Sequence, residues 1–230
     1  SCESSADFAA SNVIYRTPTS LEPSMVLRSR RTTGRSLPKL LILMPLALAG
    51  CGDSDNPAAV EFNSGNRFAY TSNRGGNEEI YAVNVDGTNE LNLSNNPAQE
   101  GSPNWSPDGT RIAFVSSRDQ DFEIYAMDAD GSNPVRLTDR PGEDVAPAWS
   151  PDGSKIAYTA EAIGNFDIYL MNPDGSGIER LTTGRERDGS PAWSPDGTKL
   201  AFESRRDGNF EIYVMDLATR ETSRLTDHPA

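Results

Sequence analysis

Few residues in this chain are equipped for chemistry. His228 is the only histidine, so a Ser-His-Asp relay would have no other base to use. The two cysteines, Cys2 and Cys51, are too few for a disulfide framework or a cysteine-rich zinc site. No phosphate loop or nucleophile elbow is present. What does recur is charge. Arg74, Arg118 and Arg206 form one set, and Glu100, Asp144 and Asp188 a second. Such sets could form a ring of mixed charge that grips a partner at a channel mouth. They could equally be structural salt bridges between neighbouring units, and their repetition favours that second reading. In the third copy Ala162 replaces the arginine with Glu161 beside it, a break that reads as locally acidic. Asp128 to Gly131 and Asn172 to Gly175 resemble calcium loops only superficially, because neither has the ligand spacing and later glutamate of such a loop. They read as β-turns, and neither a metal nor another cofactor is expected. Carboxylates for glycoside hydrolysis are abundant, but none stands out from its equivalents in the other copies.

These charges are placed by a repeat. Trp-Ser-Pro-Asp-Gly occurs three times, carried by Trp105, Asp108 and Gly109, by Trp149, Asp152 and Gly153, and by Trp193, Asp196 and Gly197, at a period of 44 residues. Tyr81, Tyr125, Tyr169 and Tyr213 keep the period across four copies. A period of this size signals repeated supersecondary units, each unable to bury its apolar faces alone.

Within the copy that begins at Ala146, Ala148 to Ser150 reads as a short strand and Pro151-Asp152-Gly153 as a tight turn. Lys155 to Thr159 alternates polar and apolar, which predicts a half-buried strand. Asp167 to Met171 and Glu179 to Thr182 complete four antiparallel strands joined by turns. Four strands about every 44 residues predict an all-β fold, a β-propeller of four-stranded antiparallel blades. About four blades are expected, at 58–98, 99–142, 143–186 and 187–230, with Ala58 to Phe62 as the first inner strand. Four blades could close on themselves, complete a larger ring with a second chain, or form part of a longer six-bladed propeller, the option we favour. The tryptophans are expected between blades, where burying an indole of about 200 Å² gives at most ~5 kcal/mol.

The residues that keep the period also resemble a known family. Pro-x-Trp-Ser-Pro-Asp-Gly, Ile-Ala-Phe/Tyr, Glu/Asp-Ile-Tyr, Asp/Asn-x-Asp-Gly and Arg-Leu-Thr together look like the TolB-like β-propeller repeat, over residues 61–230. The first copy departs from it, with Glu61-Phe62-Asn63-Ser64-Gly65 where the opening motif would fall. Cys51 stands almost next to the first repeat, so the α/β domain that precedes the propeller in members of that family is not expected between them.

Upstream of the repeats, Arg28, Arg30, Arg31, Arg35 and Lys39 lead into the apolar run Leu40 to Gly50. A basic segment, a short apolar segment and small residues make a secretory signal peptide. The run is too short for a span, which needs ~20 apolar residues. Leu48-Ala49-Gly50-Cys51 resembles the lipobox of bacterial lipoproteins, which implies acylation of the Cys51 thiol and cleavage before it. Residues 1–24 are then expected to lie disordered upstream of the true start, 25–50 to be the signal peptide and 51–57 a tether.

Residues 1–50 hold six basic and three acidic residues, which leaves 15 basic against 31 acidic in the remainder. A surface that acidic repels phosphate backbones, so nucleic acid is not an expected partner. The resemblance implies a non-catalytic lipoprotein of the cell envelope, on the periplasmic side of the outer membrane or at the cell surface. It would bind a protein through one propeller face, a Pal-like lipoprotein by analogy. The alternative is the propeller portion of a larger enzyme, a prolyl-oligopeptidase-like serine peptidase or a sugar lyase.

Overall fold

The computed structural model describes residues 67–162 and 164–228. The expected first inner strand, the tether, the signal peptide and Cys51 lie outside the described residues.

Four antiparallel sheets follow one another. The first holds β1 (Arg67–Ser72), β2 (Glu79–Asn84) and β3 (Leu91–Asn92). The second holds β4 (Glu100–Trp105), β5 (Arg111–Asp119), β6 (Asp121–Asp128) and β7 (Val135–Arg136). The third holds β8 (Asp144–Trp149), β9 (Ile156–Ala162), β10 (Asn165–Met171) and β11 (Glu179–Arg180), and the fourth β12 (Asp188–Trp193), β13 (Lys199–Ser204), β14 (Glu211–Asp216) and β15 (Thr222–Arg224). Strands pair in chain order within each sheet. This is the expected architecture, an all-β incomplete propeller of about four blades.

The turns follow from sequence. In each Ser-Pro-Asp-Gly copy the glycine N–H donates to the serine carbonyl, at 2.9 Å for Gly153 to Ser150. The aspartate carboxylate accepts from the serine hydroxyl, 2.6 Å for Ser150 to Asp152, and from the backbone beyond the turn. These bonds hold Asp152 and Asp196 well below the usual carboxylate range, at about 2 in each case. Asp128 to Gly131 and Asn172 to Gly175 are β-turns, as expected.

Neighbouring sheets meet face to face. Ala113, Val115, Ile124, Ala126 and Leu137 of the second blade pack against Trp149, Ile156, Tyr158, Tyr169 and Met171 of the third. Equivalent residues build the other two junctions. Trp149 is 8% exposed, the Trp193 indole N–H donates to the Ala148 carbonyl at 3.0 Å, and the Trp149 backbone N–H donates to Asn104 Oδ1 at 2.8 Å. The indoles are therefore seated between blades.

One expectation changes. The strand at Lys155 to Thr159 is not half-buried, because Ile156 to Ala160 are all buried. An inner blade is sandwiched between two others, so both faces are covered. Even Thr159 is absorbed, its hydroxyl accepting from the Ser190 N–H of the next blade at 3.0 Å.

Glycine is demanded at two turns that abut the preceding blade. Gly131 and Gly175 have φ of +88° and +83°, and a Cβ there would fall 2.2 and 2.5 Å from the carbonyl oxygens of Leu93 and Leu137 in the preceding blade. At the far side of the fourth blade, Ile212 and Leu225 are 40% and 61% exposed, whereas their equivalents Ile124 and Leu137 are covered by the following sheet.

Candidate binding face

The loops between the second and third strands of each blade and the loops between blades emerge on one side. An asparagine side chain ties them in three blades. Asn77 donates to the carbonyls of Asn96 and Ala98, Asn165 to those of Gly184 and Glu186, and Asn209 to that of His228. The Trp-Ser-Pro-Asp-Gly turns lie at the opposite ends of the strands. The repeat-motif residues Trp105, Asp108, Gly109, Trp149, Asp152, Gly153, Trp193, Asp196 and Gly197 thus build the scaffold away from this face.

On the loop side, Glu100, Asp144 and Asp188 begin the inner strands, and each is 1% exposed. Arg118 bonds Glu100, joined by the Ser116 hydroxyl at 3.1 Å. Arg206 donates to both oxygens of Asp188, at 3.2 and 3.1 Å. Both pairs lie within one blade, not between neighbours, because pairing of the first and second strands sets Glu100 beside Ser116 and Asp188 beside Ser204. Each arginine also lies over a tyrosine, with Cζ 4.7 Å from the Tyr125 centroid for Arg118 and 4.5 Å from that of Tyr213 for Arg206. Arg74 lies 4.8 Å over Tyr81 in the same way, and pairs with exposed Glu90.

The third blade solves the problem differently. Arg140, from the loop ahead of β8, bonds Asp144 at 3.2 Å and places its Cζ 4.3 Å over Tyr169. It therefore occupies the place an arginine at 162 would have filled. The site is not the uncompensated acidic break suggested by Ala162 and Glu161, and this is the one charge pair of the set that does link neighbouring blades. Burial pushes the Asp144 carboxyl up to about 6 despite the opposing pull of Arg140.

A second ladder of charges escaped the sequence reading. Glu123, Asp167 and Glu211 stand at or near the start of the third strands, buried, and are bonded by Arg136, Arg180 and Arg224 of the outer strands. Thr138, Thr182 and Thr226 complete each clasp. Their hydroxyls donate to the carboxylate and accept the N–H of Ile124, Ile168 and Ile212, at 2.9, 3.0 and 2.9 Å. All three positions keep the 44-residue spacing, which is the signal that could have revealed them. Among the described residues no group of three His, Cys, Asp or Glu side chains is placed to hold a metal ion.

The loop of the second blade differs from the rest. Gln120 holds φ of +89° where Gly76, Gly164 and Gly208 stand in the other copies. Asp121 replaces the bridging asparagine.

Tandem four-stranded sheets stacked on apolar faces, with turns of this sequence, define a propeller, and residues 61–188 match the TolB beta propeller domain. The chain belongs to that family. It is similar to a protein assigned as TolB from Agrobacterium tumefaciens, with TM-score 0.63 and 29% identity over 70% of this chain and 61% of that one. It is also similar to TolB from Acinetobacter baumannii, with TM-score 0.63 and 28% identity over 72% of this chain and 42% of that one. The chain thus spans less than two thirds of the length of either relative. A likeness to hydrazine synthase of Kuenenia stuttgartiensis, TM-score 0.59 at 16% identity over 69% of this chain and 31% of that one, shows the fold alone. No curated protein matches the chain.

Proposed function

We propose that this protein is a non-catalytic interaction module of the bacterial cell envelope that docks a protein partner on the loop face. The observation that carries this reading is the construction of that face. Buried carboxylates clamp the arginines Arg118, Arg140 and Arg206, which leaves rigid loop ends on a β scaffold, an arrangement suited to recognition. Glu100, Asp144 and Asp188 then act as supports, while exposed loop residues such as Arg205 and Asp121 contact the partner. Membership of the TolB beta propeller domain family supports an envelope setting. A Pal-type lipoprotein is the partner this analogy suggests. Acylation at Cys51 would tether the propeller to the membrane, at the periplasmic side of the outer membrane or at the cell surface.

Calorimetric titration with the soluble domain of a Pal-type lipoprotein tests the reading. Arg205→Glu and Asp121→Lys on the loop face should each weaken binding about tenfold, a typical loss for a well-placed interface contact. Asp130→Lys on the opposite face should leave it unchanged. Equal effects from both faces, or no binding by the unaltered chain, would contradict it. Mass spectrometry of the exported protein tests the anchor separately, with a triacylated amino-terminal Cys51 as the expected species.

A further inference from the structure

Position 144 sits in a microenvironment that four coordinated differences set apart from its equivalents. Ala160 replaces the serine of Ser116 and Ser204, Ala162 replaces the arginine of Arg118 and Arg206, Tyr158 replaces the phenylalanine of Phe114 and Phe202, and Arg140 arrives from the inter-blade loop. Glu100 and Asp188 are therefore held by arginines of their own sheets, whereas Asp144 is held by a loop.

We propose that Asp144, Arg140 and Tyr158 form a proton-operated latch between the second and third blades, which releases the loop of residues 139–143 when Asp144 becomes protonated. Among the described residues Arg140 makes one ion pair, the 3.2 Å contact with Asp144. Its Nε is buried and makes no hydrogen bond, and neither do Asp144 Oδ2 nor the Tyr158 hydroxyl, itself 0% exposed. A neutral Asp144 has no charge with which to retain Arg140, and because Asp144 stays buried between the strands when the loop leaves, loss of Arg140 strengthens its hold on the proton. The groups facing Asp144 are Glu123 from β6, Thr138 and Arg140 from the loop between blades, and Tyr158 from β9, while Tyr169 from β10 lies under the Arg140 guanidinium. The nearby carboxylate of Glu123 adds to the burial that favours the protonated form, and Arg140 opposes both. The latch holds whether or not the loop face binds a partner.

Hydrogen exchange of the full chain, followed by mass spectrometry at pH 5 and pH 7.5 and corrected for the intrinsic pH dependence, reads the latch in residues 139–143. The loop should lose protection several-fold at pH 5, and Asp144→Asn should hold it open at both pH values. Arg140→Gln, at a partly exposed loop position, should do the same and serves where Asp144→Asn folds poorly. A histidine ordinarily titrates in this range too, so the sole one is removed as a control, and His228→Gln should keep the response. Protection that does not change with pH in the unaltered chain, or a response that survives both Asp144→Asn and Arg140→Gln, would overturn the proposal.

Discussion

The guanidinium of Arg140 lies 4.3 Å over the ring of Tyr169, the same station that Arg118 takes over Tyr125 and Arg206 over Tyr213. One spatial requirement, a cation between an aromatic face and a buried carboxylate, is met from two different places in the chain. The requirement has consequences for pH.

The folded-state carboxyl of Asp144 sits at about 6, above the ordinary value of 3.8. The folded chain therefore binds a proton more tightly than the unfolded chain. The associated stability is fully present below about pH 4 and is lost as pH rises through about 6, roughly 3 kcal/mol in all. Asp152 and Asp196 act in the opposite direction. Their carboxyls are depressed to about 2, so their contribution is present above about pH 4 and is lost as pH falls through about 2. Denaturant titrations between pH 2 and 7 check this. Asp144→Asn should remove the decline between pH 4 and 6, and Asp152→Asn should flatten the acid limb.

Gly131 and Gly175 carry an inter-blade contact that Gly87 does not. All three have positive φ, but a Cβ at Gly87 would meet nothing within 4 Å. Gly87→Ala should cost about 1 kcal/mol from backbone strain alone. Gly131→Ala should cost about 2 kcal/mol more, since the carbonyl of Leu93 cannot yield without shifting the neighbouring blade. Thermal melts of the three alanine variants would rank them.

Thr138 satisfies a buried N–H and a buried carboxylate at once. Thr138→Val keeps the shape and leaves both groups short of a partner, a loss of about 2 kcal/mol. Thr226→Val should cost less, because Ile212 and its surroundings are open to solvent. Equal losses in urea denaturation would contradict the clasp as the reason these threonines matter.

Gln120 is held at φ of +89°, a conformation that suits glycine. Gln120→Gly should stabilise the chain by roughly 1 kcal/mol net, the relief of strain exceeding the added flexibility of the unfolded chain. An unchanged or lower midpoint would show that the loop gains something from the glutamine itself.

Much of this was legible in the sequence because the blade is dictated locally. Proline and Asp-Gly set the turns, and the apolar positions recur with their period, so Trp149 and Tyr169 were readable as core. What was hidden depends on partners distant in sequence. Arg140 replaces an arginine 22 positions further on, from a loop outside the repeated motif. The partner of Asp188 is Arg206 of the same blade because strand pairing, not blade stacking, brings them together. The burial of Thr159 could not be read from its alternating neighbours, since a second covered face leaves no polar side for the alternation to mark.

The account rests on sheets packed face to face, with the indoles between them. Fluorescence of a single-tryptophan variant, Trp105→Phe with Trp193→Phe, isolates Trp149 and tests this most directly. A blue-shifted emission with weak acrylamide quenching, both lost on unfolding in urea, is the predicted result. Emission and quenching like those of free indole in water, from a chain that is otherwise folded, would contradict it.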